Sequence, residues 1–145
     1  MSLPFAPPKI LTDMSALVSP QHPLEVDRFN EPQPDLCLLR WRESFYTDRH
    51  PTAADVLLLV EISDSTLRYD RSTRLALYAR GGVQAYWIVD VQDRCVVVFN
   101  EPADGTYRQE QRLRTGERLV LGDEGSPLAG LVLDVDAVLG PPTRW

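Results

Sequence analysis

The segment Val56-Leu57-Leu58-Leu59-Val60-Glu61-Ile62 constrains this chain more than any other. An unbroken aliphatic run leaves no side of the backbone for water, so it suits a strand buried on both faces. The run Val56 to Val60 is too short for an ordinary helix and far too short to span a membrane. Glu61 sits near its end, where a carboxylate is costly unless it is paired or bound to a cation. The fold must therefore cover this strand on two sides and satisfy a carboxylate near its tip.

The flanking segments suggest how. Asp35-Leu36-Cys37-Leu38-Leu39 follows Pro34 and reads as a strand, and the polar, aromatic stretch from Arg40 to Ala54 reads as a loop. Asp70 is a candidate N-cap for a helix over Arg71 to Arg80, with Leu75, Tyr78 and Ala79 at helical spacing and Gly81-Gly82 as the stop. Ala85 to Asp90 and Arg94 to Phe99 read as strands joined by a hairpin link at Val91-Gln92-Asp93. Tyr107 to Leu113, Arg118 to Leu121 and Leu131 to Leu133 are further candidate strands, and Asp134 to Leu139 a last helical turn before Pro141-Pro142. Seven prolines between Pro4 and Pro34 predict an irregular N-terminal arm over 1–30, with Leu24-Glu25-Val26 as a short edge strand. The order of elements predicts an α/β (α+β) domain, a mixed sheet with few helices.

Composition narrows the chemistry. The 145 residues suit one domain, and the formal net charge of −6 argues against a passive phosphate binder, which is usually basic. An enzyme whose carboxylates hold a metal escapes that argument, because the ion supplies the positive charge. Cys37 and Cys95 each fall inside a strand and read as buried free thiols. With no signal peptide or membrane span in the sequence, a cytoplasmic location is expected. His22 and His50 lie in loops beside proline and read as surface residues, and no cysteine or histidine pair has zinc-ligand spacing.

The acidic residues are more informative. Asp35 and Glu61, on neighbouring strand ends, could hold a hard divalent ion that activates water and neutralises charge on a phosphoryl group. The structural alternatives are a turn aspartate for Asp35 and, for Glu61, a salt bridge to Arg74 or Arg68. Tyr78, one turn after Arg74, reads as a core residue with a hydrogen-bonded hydroxyl.

Pro34-Asp35, Leu59-Val60-Glu61-Ile62-Ser63-Asp64-Ser65-Thr66, Tyr69-Asp70-Arg71, Leu75-Ala76-Leu77-Tyr78-Ala79 and Gly82-Val83-Gln84-Ala85-Tyr86-Trp87-Ile88-Val89-Asp90 occur in that order. Together they resemble the Uma-two family of restriction-endonuclease-like proteins, over about Glu31 to Leu139, with 140–145 as a tail. The resemblance implies a restriction-endonuclease-like sheet and magnesium- or manganese-dependent cleavage of DNA. It implies Asp35 and Glu61 as metal carboxylates and the backbone carbonyl of Ile62 as a further ligand. It also places Arg74 where the family carries its lysine.

That arginine is a departure, because arginine effectively cannot lose its proton. It could orient water or neutralise charge. Lys9 is the only lysine in the chain. The N-terminal helix usual in the family is also missing from the pattern. Two readings follow, a metal-dependent nuclease and an inactive nuclease fold serving as a binding or assembly module. Trp41, Phe45, Tyr46, Tyr86 and Trp87 would either furnish a homo-oligomer interface or fill the core.

Overall fold

The computed structural model describes residues 9–10, 16–63, 68–122 and 124–141; the side chains of 9–10 and 68–71 lie outside that description. Among the described residues, seven strands form one sheet in chain order: β1 (Lys9–Ile10), β2 (Ala16–Pro20), β3 (Leu36–Arg40), β4 (Val56–Ser63), β5 (Ala85–Asp90), β6 (Cys95–Ala103) and β7 (Thr106–Arg114). All neighbours are antiparallel except β4 and β5, which run parallel and are joined by helix α1 (Arg68–Gly81). A parallel pair needs such a crossover, since a tight turn cannot return the chain to the same end of the sheet. Strands β8 (Arg118–Val120) and β9 (Val132–Asp134) make a separate ribbon, followed by α2 (Val135–Leu139).

Strand β4 is buried from Val56 to Val60, as its apolar run predicts. Its two faces feed two cores. One gathers Cys37, Leu59, Tyr78, Tyr86, Ile88, Val97 and Phe99, with α1 on that face. The other gathers Leu58, Val60, Trp87, Val89, Val96 and Val98 with Leu119, Leu128 and Val135 from beyond the sheet. Each fully buried aliphatic side chain of this kind contributes about 2 kcal/mol of transfer free energy. The aromatic residues Tyr46, Tyr86 and Trp87 are buried, and Trp41 and Phe45 pack against the first core, so this set fills the interior. Both cysteines are buried and free, as expected.

The helix stop also holds: Gly82 has φ +85°, its N–H donates to Ala79 O at 3.1 Å, and Val83 N–H donates to Tyr78 O at 3.0 Å. The helix starts earlier than the capping argument placed it. Arg68 opens α1, so Asp70 lies in the first turn instead of capping it.

The larger correction concerns the N-terminal segment. Residues 16–20, expected to be irregular, form β2, paired with β3 from Ala16↔Arg40 to Pro20↔Leu36, and Leu17 is fully buried. Pro20 is tolerated because the ladder bond to this end of β3 comes from Gln21 N–H to Asp35 O at 3.0 Å, which turns the Pro20 nitrogen away from β3, and β1 pairs only with Leu17 and Val18 among the described residues. Leu24 to Val26 makes no strand; Glu25 forms one isolated parallel bridge to Thr52. No helix precedes β3 among the described residues.

Candidate active site

Strands β3 and β4 pair as Leu36↔Val60 and Cys37↔Leu59. The paired register stops at Leu36↔Val60; continued by one step, it would set Asp35 across from Glu61. Side chains opposite one another in an antiparallel pair lie on one face of the sheet. Asp35 Oδ2 accepts a hydrogen bond from the backbone N–H of Ile62 at 2.7 Å, which ties the aspartate to the end of β4. Ile62 itself is exposed.

Glu61 alternates onto the same face as Leu59, beneath α1. Its side chain is only 12% exposed, so its charge needs partners. Helix α1 supplies two from positions one turn apart. Arg74 Nη1 donates to Oε1 at 2.7 Å and to Oε2 at 2.6 Å, and the Tyr78 hydroxyl donates to Oε1 at 2.6 Å. Tyr78 is fully buried, and its ring meets Tyr86 edge-on at 5.1 Å. It is thus the hydrogen-bonded core tyrosine that helical spacing suggested, and its partner is the carboxylate of interest.

Protonation follows from this packing. Partial burial works against the Arg74 charge, but its bonds to Glu61 outweigh that and hold its pKa above the ordinary arginine value. Burial, then the Glu61 charge, pushes the Tyr78 phenol far up, so it stays a donor. Burial and the same charge push the Cys37 thiol up to about 12, keeping it neutral.

The structure therefore brings Asp35, Glu61, Ile62, Arg74 and Tyr78 together. Of the two arginines offered for Glu61, Arg74 is its partner; the side chain of Arg68 lies outside the described residues, as does that of Lys9.

A second acidic group was not singled out in the sequence. Asp90, Asp93 and Cys95, at the β5–β6 turn, have ligand atoms within 4.8 Å of one another and could hold a metal ion. Asp90 Oδ1 accepts from the backbone N–H groups of Gln92 and Asp93 at 3.1 and 3.0 Å. Asp93 Oδ2 already takes Arg112 at 3.0 Å and Arg114 at 3.2 Å. Cross-strand registers put this group in a lateral row, Ser63↔Asp90↔Cys95↔Arg114, next to the row Glu61↔Ile88↔Val97↔Arg112. Its only signal in the sequence was a carboxylate closing an apolar strand.

The donors at Asp35 and Glu61 suit a hard divalent ion, being two carboxylates beside an exposed strand backbone. The place beside Glu61 already attracts a cation, the Arg74 guanidinium. An ion at Glu61 would require that guanidinium to give way.

The family Uma2, described as "Putative restriction endonuclease", matches residues 10–135. This chain belongs to that family. The match starts well before β3, in keeping with β2 as an integral strand. A solved structure, the putative nuclease belonging to DUF820 from Anabaena variabilis, superposes with a TM-score of 0.59 at 15% identity, covering 86% of this chain and 68% of that one. At that identity the likeness establishes a nuclease-like fold. No curated protein matches the sequence. No helix among the described residues is long and apolar enough to cross a membrane.

Proposed function

We propose that this Uma2 chain is a divalent-metal-dependent phosphodiesterase acting on DNA, with its site at Asp35 and Glu61. The observation that supports it most directly is the hydrogen bond that ties Asp35 to the backbone of Ile62, the residue after Glu61, where the β3–β4 pair ends. Two like charges at one strand end call for a cation. Asp35, Glu61 and the Ile62 carbonyl would hold magnesium or manganese. The ion would lower the pKa of bound water and neutralise charge on the phosphoryl group. Arg74, permanently charged, stabilises negative charge and takes no proton. Tyr78 keeps Glu61 oriented.

The test is cleavage of plasmid DNA with magnesium or manganese. Wild type should cut, and Asp35→Asn and Glu61→Gln should each lose activity by about 100-fold or more, the scale on which removing a positioned charge acts. Wild-type protein that leaves DNA intact in both metals would overturn the proposal.

One observation favours a second reading. Arg74 touches both oxygens of Glu61. If that pairing is permanent, the chain is a catalytically silent nuclease fold acting as a binding or assembly module. DNA retained without cleavage would support it.

A further inference from the structure

The two oxygens of Glu61 are not held alike. Oε1 takes both Tyr78 and Arg74, whereas Oε2 takes Arg74 alone among its described partners. The two donors also differ in freedom. Tyr78 is fully buried and locked against Tyr86 in the aromatic core, so its hydroxyl cannot leave without moving the helix. Arg74 has a side chain 41% exposed, with solvent to move into. It reaches Glu61 through Nη1, one nitrogen straddling both oxygens, and not through the two-nitrogen fork that makes arginine–carboxylate pairs strong.

From this difference we infer that Tyr78 is the positioning residue of the site and Arg74 its displaceable resident cation. Tyr78 pins Oε1, so the carboxylate keeps its orientation when Arg74 swings out, and Oε2 is left facing a divalent ion. Arg74 and the ion compete for Glu61. The inference rests on the proposed metal site and adds how that site is kept closed: without metal, Arg74 neutralises the buried carboxylate and stabilises the fold. Metal binding must first break that pair, which weakens apparent affinity by the strength of the pair.

The experiment is manganese titration by calorimetry, with thermal melts in the absence of metal, on wild type, Arg74→Met, Tyr78→Phe, the double variant and Glu61→Ala. Arg74→Met should bind manganese about tenfold more tightly than wild type, as expected for removing a competitor of modest strength. Without metal it should melt below wild type, and manganese should raise its melting temperature more than it raises that of wild type. Adding Tyr78→Phe to Arg74→Met should remove most of the gain in affinity, which a packing role alone would leave in place. Should Arg74→Met fail to fold, Arg74→Gln carries the same expectation. Affinity in Arg74→Met equal to or below that of wild type would overturn the competition. An unchanged affinity in the double variant would overturn the positioning role. Binding that survives Glu61→Ala, or is missing in every protein at millimolar manganese, would instead remove the metal site itself.

Discussion

Strand β4 has a carboxylate–arginine pair at each end. At the start, Asp55 meets Arg49 at 3.0 Å, with side chains 13% and 39% exposed. At the finish, Glu61 meets Arg74 at 2.6 Å, with side chains 12% and 41% exposed. Distance and burial barely separate them, yet their partners differ in origin. Asp55 Oδ2 also accepts from the backbone N–H and the hydroxyl of Thr52, at 2.8 and 3.2 Å, so all its bonds close a local turn within six residues. The partners of Glu61 come from a helix 13 and 17 residues later, and the next residue, Ile62, is bonded by a second carboxylate, Asp35. Burial alone therefore does not mark a site. What sets the candidate site apart is a buried charge whose partners are tertiary, next in sequence to a backbone N–H that a second carboxylate accepts from.

The sharpest way to break this contrast is to remove the two arginines in turn and measure urea unfolding without metal. Arg74→Met should cost about 1.5 to 2 kcal/mol, since it leaves a mostly buried carboxylate with Tyr78 alone among its described partners, while the exposure of Arg74 keeps the loss below that of a fully buried pair. Arg49→Met should cost no more than about 1 kcal/mol, because the backbone N–H and hydroxyl of Thr52 still satisfy Asp55. Equal losses would dissolve the distinction. Tyr78→Phe comes next, at about 1.5 kcal/mol for a buried hydrogen bond to a charged acceptor.

Acid titration sharpens the Asp55 side. Burial raises its pKa, but the bonds from Arg49 and Thr52 together outweigh it and hold the value below the ordinary 3.8. A lowered folded pKa means the unfolded chain binds protons first as pH falls, so the contribution of Asp55 is complete above about 3.8 and drains away below it. Asp55→Asn should thus destabilise at neutral pH and converge on wild type in acid; a constant penalty across the range would show that charge is not what Asp55 supplies. The smallest effect belongs to the exposed turn. Asp93 is 52% exposed between two half-exposed arginines, and Asp93→Ala should stay within about 0.5 kcal/mol of wild type in the same unfolding measurement.

Much of this architecture could be read from local pattern. Unbroken or alternating apolar runs located β3 to β6, and Gly81-Gly82 located the end of α1, because burial period and left-handed backbone are properties of a few neighbouring residues. Strand β2 was hidden, since proline density signals irregularity while Ala16 to Pro20 becomes a strand only by pairing with a segment 16 residues or more away. The Asp90–Asp93–Cys95 group escaped for a similar reason: its arginines arrive from β7, across a hairpin.

At the site, the sequence by itself determined which groups were available: a carboxylate in an apolar strand, a second after a proline, and an arginine one helical turn before a tyrosine. It could do so because cost and spacing are local physics. Only the tertiary structure decided that Arg74 takes Glu61, that Tyr78 pins one oxygen of it, and that Asp35 is tied to Ile62. Those choices depend on how a helix settles across a sheet, and a hydrogen bond exists or fails over a few tenths of an ångström that no spacing along the chain prescribes.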